Sequence, residues 1–315
     1  MVVTTGFFDG VHLGHRHILA CLAAKAAERG EESLVVTFWP HPRMVLQQDA
    51  RDLRLLSSLQ EKCDLIRAAG IDRVEVLPFT REFAALTARE YLQMLGERFG
   101  ATLLVMGYDN RIGSDHLTGE ALAASGAKQP VFAHEKPILV TPSAKQPVFA
   151  PEPLYSQQEG GYAVRGLSPV AISSTRIREA LSGGEVEAAA AMLGRPYGLH
   201  GVVVAGNRMG RRLGFPTANM KLYEPLKLIP AGGVYAVEVD TLGRSFRGMC
   251  NIGVRPTMGK DNALTVETNI FDFDEDIYGL DIDIRFLRRI RDERRFDSLD
   301  ALKSQLEADR QACLE

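Results

Sequence analysis

Two histidines, His12 and His15, stand in the stretch Gly6–His15, GFFDGVHLGH. Leu13 and Gly14 lie between them, so the backbone can turn sharply there and present both imidazoles together. The preceding MVVTTGFF is apolar and β-branched, as a buried parallel strand should be. The following HRHILACLAAKAAER carries Ile18, Leu19, Leu22, Ala23 and Ala26 at helical spacing. A strand, a glycine turn and a helix start make a natural anion site, because free N–H groups and the helix dipole both favour negative charge. Two imidazole donors at that place suit a triphosphate better than a sugar or an apolar ligand.

A second anion-facing helix start is written in Ile172–Glu179, ISSTRIRE. Ser173, Ser174 and Thr175 cap a helix whose first turn carries Arg176 and Arg178. Taken alone such a run is more often a simple N-cap; its pairing with the histidine motif about one domain away gives it weight. A third pattern is GRRLGFPTAN, Gly210–Asn219. Gly206, Gly210 and Gly214 let backbone N–H groups approach phosphates, and Arg211 and Arg212 supply charge. Pro216 stiffens the exit, while Thr217 and Asn219 offer oxygen ligands that suit Mg²⁺ completed by water and nucleotide phosphates. Out of context the same residues are a basic glycine turn before a strand.

The elements that must position these groups fall into two patterns. In the first half, LVVTFW (34–39), RVEVLPF (73–79) and TLLVMG (102–107) alternate with helical stretches such as SSLQEKCDLIRAAG and TAREYLQMLGERFG. That alternation predicts a parallel, doubly wound sheet whose ligands sit at the carboxyl ends of the strands. GFFDGVHLGH falls after the first strand, WPHPR (39–43) after the second, and GYDNRIG (107–113) after about the fifth. Helical signal resumes at IREALSGGEVEAAAAMLG, whose arms flank Gly183 and Gly184. From Pro196 onward GVVVAG, GVYAVEVD, FRGMCNIG, LTVETNIFDF and LDIDIRFL recur at even spacing with glycine turns, which predicts an antiparallel sheet or barrel. DSLDALKSQLEADRQ then predicts a helix capped by Asp297/Ser298, with Leu299, Leu302 and Leu306 on the face that packs on the barrel. The expected boundary divides 1–184 from 185–315. Residues 119–170 are rich in proline and contain AKQPVFA twice (127–133 and 144–150), which reads as a local duplication or a long mobile surface loop.

With 315 residues the chain is long enough for two ordinary domains, and 45% apolar with 24% charged residues is a globular composition. A net charge of −3 gives no pull toward nucleic acid or anionic membrane. The basic run RFLRRIRDERRF is interrupted by Asp292 and Glu293, which argues against a nucleic-acid patch. Cys21, Cys63, Cys250 and Cys313 are scattered without metal-ligand spacing and read as reduced thiols. No secretory leader and no apolar run of membrane-spanning length is present, so a cytoplasmic protein is expected.

GFFDGVHLGH with ISSTRIRE resembles the HxGH nucleotidyltransferases, in the form found in bacterial FAD synthetases. GFPTAN, NIGVRPT (251–257) and RDERRFDSLDAL (291–302) resemble the riboflavin kinases, in the order expected. Essentially the whole chain apart from 119–170 therefore resembles the bifunctional bacterial riboflavin kinase/FMN adenylyltransferase family. The resemblance implies a Rossmann-like transferase domain followed by a six-stranded barrel kinase. It implies that riboflavin is phosphorylated by ATP to FMN, and that FMN is then adenylylated by a second ATP to FAD with release of pyrophosphate. Gly6, Phe8, Asp9, Gly10, His12, Gly14 and His15 would cradle ATP in the first domain. Ser174, Thr175 and Arg178 would hold its β- and γ-phosphates and the leaving pyrophosphate. His41 and Asp109 would lie near the flavin. In the second domain Gly206, Gly210, Arg211, Gly214 and Thr217 would bind ATP, Thr217 and Asn219 would contact Mg²⁺, and Glu267 would be the catalytic base. His12, His15, Arg178 and Glu267 are thus the expected catalytic set.

Departures from the family pattern are Asn110 and Ile112 in GYDNRIG, where the family has aromatics, and Asn269, where it has histidine. The family also begins about a strand and a turn earlier. Three rival readings are a monofunctional riboflavin kinase with an impaired transferase domain, a different HxGH nucleotidyltransferase, and a non-catalytic flavin-binding regulator. The second leaves GFPTAN unexplained, and the last is disfavoured by the complete set of candidate catalytic groups. Self-association into a homo-oligomer is left open.

Overall fold

The computed structural model describes residues 1–47, 52–107, 110–118, 121–122, 131–133, 155–158, 161–164, 172–206, 210, 213–255 and 263–315. The chain forms two compact units, Met1–Ser173 and Ser174–Glu315. Five strands of the first unit form one sheet: β1 (Val2–Thr5), β2 (Ser33–Trp39), β3 (Arg73–Pro78), β4 (Leu103–Met106) and β5 (Val131–Ala133). Their order is β3-β2-β1-β4-β5 and every pairing is parallel. All four residues of β1 are buried, as a strand covered on both faces requires. Helices α1 (Leu13–Arg29) and α2 (Leu59–Ala68) pack Leu19, Leu22 and Ile66 with Val2, Val35 and Val105. Helix α3 (Ala88–Phe99) packs Tyr91, Leu92 and Leu95 with Val3, Val36 and Leu104, which face the other way along the same strands. The sheet is therefore doubly wound. Its order reverses between β1 and β4, so the crevice at the end of β1 is the topological switch point where such sheets bind ligands.

Two expectations are corrected here. GYDNRIG follows the fourth strand in chain order, because no further strand intervenes between β3 and β4. The stretch read as a mobile loop contributes order: Val131–Ala133, the end of the first AKQPVFA copy, is β5 and pairs with β4, and Tyr155–Gln158 pairs with Gly161–Val164 as a hairpin. The second copy lies outside the described residues.

In the second unit, helices α4 (Ser174–Gly183) and α5 (Val186–Leu193) precede six strands. These are β6 (Tyr197–Val204), β7 (Ala218–Leu222), β8 (Gly233–Thr241), β9 (Arg244–Arg255), β10 (Ala263–Ile270) and β11 (Asp281–Arg291). They close into an antiparallel barrel in the order β6-β7-β10-β9-β8-β11. Alternate residues fill it: Leu199, Val203, Val237, Val239, Ile252, Val266, Ile282, Ile284 and Phe286 are all buried. Tyr235 is buried with them and its hydroxyl donates to the Ala231 carbonyl (2.6 Å). The Leu181 carbonyl accepts from Ala231 N (2.9 Å), and Arg289 donates to the Gly183 carbonyl (3.0 Å). The compact unit thus starts ahead of the 184/185 boundary that the strand pattern suggests.

Helix α6 (Leu299–Leu314) is capped by Ser298, whose Oγ accepts from Ala301 N (3.1 Å). The expected apolar face is shifted, because Leu299 is exposed at the first turn. Leu306, Asp309 and Cys313 form the inner face instead. Asp309 is buried there and accepts two short hydrogen bonds from Arg291 of β11 (2.6 and 2.9 Å) and one from Gln305. Breaking a buried pair strands the surviving charge. Asp309→Ala is expected to destabilise this unit by about 3 kcal/mol. A urea titration followed by far-UV circular dichroism should show the loss. The fluorescence transition of Trp39, the chain's one tryptophan and a residue of the first unit, should stay in place.

Candidate active sites

At the end of β1 the backbone passes through conformations that most side chains avoid. Phe8 (φ 54°) and Val11 (φ 39°) lie in the left-handed region on either side of Gly10 (φ 77°). Each non-glycine residue there costs on the order of 1–3 kcal/mol and persists only where its surroundings hold it. The holding group is Asp9, which is buried. Its carboxylate accepts from Leu56 N (3.0 Å), Ser57 N (3.1 Å) and Ser57 Oγ (3.2 Å), and Gly10 N donates to Ser57 Oγ (3.0 Å). The 55–58 segment, just before α2, is thereby bound to the turn.

Out of this turn comes α1, capped by the first histidine. His12 Nδ1 accepts from His15 N (3.3 Å), so the neutral ring carries its proton on Nε2, which remains a donor. The His12 and His15 rings stack with centroids 3.6 Å apart and planes 16° from parallel. Gly14 permits this, since a Cβ there would lie 3.2 Å from the His12 ring. Phe8 meets the His15 ring edge-on at 5.2 Å. Burial, then the neighbouring His12 and Lys62, hold the His15 imidazole well below its ordinary pKa, so it is neutral at physiological pH. Its Nδ1 is buried without a hydrogen-bond partner. An orphaned polar atom in a switch-point crevice fits a group that completes it on binding.

His41 stands at the end of β2, its Nδ1 accepting from Arg43 N (3.0 Å) and its ring 4.2 Å from that of Phe7. Gly6 donates its N–H to the Val36 carbonyl (3.1 Å). Asn110 donates to the Thr5 carbonyl (3.1 Å) and Ile112 is buried in the α3-side core, so both departures in GYDNRIG are built into the packing. Asp109 and Arg211 lie outside the described residues. Ser174, Thr175 and Arg178 sit in the first turns of α4, in the second compact unit.

The barrel holds the other cluster. Register pairs Asn219 of β7 with Glu267 of β10, and Glu267 in turn with Asn251 of β9. This row alternates with the buried Val266 and Thr268, so it faces away from the barrel interior. Gly206 and Gly210 permit close approach: a Cβ on the first would overlap the Asn219 amide, and on the second the Phe215 carbonyl. Gly214 has φ 85°, which favours glycine. Asn269 donates to the Pro216 carbonyl (2.6 Å), tying β10 to the segment that carries Thr217. An open cleft is lined by Gly206, Thr217 and Asn219 on one side and by Phe273, Asp274, Glu275, Asp276 and Tyr278 on the other. Glu267 adjoins Asn219 in register and is not itself part of the lining.

The 273–278 wall went unread in the sequence, where FDFDEDIYG looks like a solvated turn. So did Lys62, a helix lysine that turns out to be buried beside the histidine turn.

A doubly wound sheet with a histidine pair at its switch point, joined to a closed six-stranded barrel with a glycine-lined cleft, defines a two-part nucleotide-using chain. The FAD synthetase family model matches residues 1–137 and the riboflavin kinase family model matches residues 193–315. The bifunctional riboflavin kinase/FMN adenylyltransferase of Bacillus subtilis is 33% identical, over 99% of this chain and 91% of its own length. That of Escherichia coli is 34% identical over 98% and 90%. A solved Streptococcus pneumoniae structure, described as a macrolide-efflux protein, superposes with a TM-score of 0.83 at 33% identity and covers 100% of this chain and 93% of its own. Among the described residues no helix is long and apolar enough to cross a membrane. The chain belongs to the bifunctional riboflavin kinase/FMN adenylyltransferase family.

Removing the Asp9 carboxylate would leave two buried backbone donors unpaired and release the strained turn. Asp9→Ala is expected to destabilise the first unit by about 3 kcal/mol, with Asp9→Asn losing less because it keeps one acceptor. The shift of the Trp39 fluorescence transition in urea measures both.

Proposed function

We propose that this chain makes FMN and then FAD, with the kinase chemistry in residues 185–315 and the transferase chemistry in residues 1–184. The observation that carries the reading is the presence in one chain of both constellations: the stacked His12–His15 pair at the switch point, and the Thr217–Asn219 segment beside Glu267 in the barrel.

In the kinase step the riboflavin 5′-hydroxyl oxygen bonds to the γ-phosphorus of ATP, and the bond to the β–γ bridging oxygen breaks, leaving ADP. Glu267 accepts the hydroxyl proton. Gly206, Gly210, Arg211 and Gly214 bind the nucleotide phosphates. Thr217 and Asn219 are assigned to Mg²⁺, which fits an all-oxygen donor pair whose remaining ligands come from phosphates and water. Among the described residues no group of three or more His, Cys, Asp or Glu side chains could hold a metal by itself, so the ion would arrive with the nucleotide. When bound it would neutralise charge on the β- and γ-phosphates.

In the transferase step an FMN phosphate oxygen bonds to the α-phosphorus of a second ATP and pyrophosphate leaves. No protein nucleophile is needed, since alignment and charge stabilisation drive an in-line displacement. His12 and His15 donate hydrogen bonds to the phosphates, supported by the turn of Gly6, Phe8, Asp9, Gly10 and Gly14. Ser174, Thr175 and Arg178 are assigned to the β- and γ-phosphates and the departing pyrophosphate, and His41 and Asp109 to the flavin, on the family resemblance. A cytoplasmic location is supported by four free cysteines, three of them buried.

Two variants separate the halves. With riboflavin, ATP and Mg²⁺ the wild-type protein should yield FAD, read by fluorescence-detected chromatography. His15→Ala should accumulate FMN, with FAD formation down by about 100-fold or more. Glu267→Gln should lose about 100-fold or more in FMN formation, yet still convert supplied FMN to FAD. Wild-type protein that stops at FMN would favour the kinase-only reading, and no flavin product at all would favour a regulator.

A further inference from the structure

Lys62 is placed where a lysine is costly. It closes the first turn of α2, where the helix dipole opposes a cation, and the residue is only 1% exposed. The capping box of Ser58 and Glu61 fixes that turn, with Glu61 N donating to Ser58 Oγ (3.1 Å) and Ser58 N to Glu61 Oε2 (2.6 Å). Lys62 therefore has little freedom to swing outward. Its ammonium donates to the Phe38 carbonyl at the end of β2 (3.2 Å) and lies 3.8 Å from the centre of the Phe7 ring at the end of β1. Among the described residues no carboxylate forms an ion pair with it; Asp9, which acts on it electrostatically, is already occupied by Leu56 and Ser57.

We propose that Lys62 is a positioning residue of the transferase centre, whose charged ammonium holds the Phe7 ring, the Phe38 carbonyl and the Asp9 turn in the arrangement that presents His15 to substrate phosphates. The inference rests on reading His12 and His15 as that centre. Three observations join in it. The ammonium has three N–H donors and uses one on a carbonyl and one face on an aromatic ring. His15 Nδ1 is buried and unpaired, and the Lys62 charge acts on the His15 ring. The ends of the neighbouring strands β1 and β2 are both touched by this one side chain. A lysine serving stability alone would be better replaced there by an apolar residue.

A pH signature follows. The charged and titratable groups facing Lys62 are Asp9 on the turn, His15 on α1 and Cys63 beside it on α2. Burial, opposed by Asp9 and Cys63, pulls the lysine down to about 8. It is charged below that pH and neutral above it. A polyanion bound nearby favours the charged form, so the transition moves upward in the substrate complex. Burial pushes Cys63 up and His15 down, each away from Lys62.

The test measures FAD formation from FMN and ATP between about pH 6.5 and 9.5, with the Trp39 fluorescence transition in urea as the folding control for the first unit. Wild-type kcat/KM for FAD formation should fall as pH rises through about 8, while kcat falls only at higher pH. Lys62→Met should lower kcat/KM at pH 7 by about 10-fold or more and abolish the alkaline limb. Lys62→Arg, which stays charged, should abolish that limb while retaining more activity than the methionine variant. An alkaline limb shared by wild type and both variants, or a Lys62→Met rate within about twofold of wild type at pH 7, would overturn the proposal. Should Lys62→Met fail to fold, the limb in Lys62→Arg decides. His15→Ala that still makes FAD would instead remove the underlying site reading.

Discussion

The buried carboxylate of Asp9 gathers the first unit around one point. It occupies the donors of Leu56 and Ser57, and through them links the turn after β1 to the start of α2. Without that link the positive φ angles of Phe8 and Val11 would relax toward ordinary backbone. His12 could then no longer cap α1 from the same turn, and the stack with His15 would lose its support. A local backbone strain of a few kcal/mol is thus held by hydrogen bonds to a residue that does no bond-making itself. Preorganisation of this sort is what phosphate displacement by alignment requires.

In the barrel the organising constraint is register. Antiparallel closure sets Asn219, Glu267 and Asn251 in one row on adjacent strands. A slip by one residue would exchange that row with Val266 and Thr268 and send the polar groups into the apolar interior. The same closure packs Ile282, Ile284 and Phe286 from β11 against Tyr235, Val237 and Val239 from β8, so core and site are specified together. Asn269 is used to hold Pro216 and with it the approach to Thr217.

What could be read from the sequence was local. The strand, turn and helix of GFFDGVHLGH are contiguous, so their chemistry and periodicity appear in one window. Glycines near GFPTAN and the alternation of the barrel strands are likewise short-range signals. Lys62 was invisible because its burial depends on Phe7, just after β1, and Phe38, in β2. The acidic wall of 273–278 was hidden because a run of aspartate and glutamate looks like solvated surface until a cleft forms beside it. Leu299 misled for the opposite reason: helical spacing is right, but the helix begins before it reaches the barrel.

The placement of α4 bears on how such a chain can be inherited. Ile177 and Leu181 are fully buried in a helix whose end is bound to Ala231 and Arg289 of the second unit. A gene split at the point where the strand pattern changes would separate that helix from the strands that cover it and leave an apolar face on a fragment. The helix that carries Arg176 and Arg178 belongs to the same compact unit as the barrel. Gene fission at this junction would therefore need compensating changes on both sides of the cut.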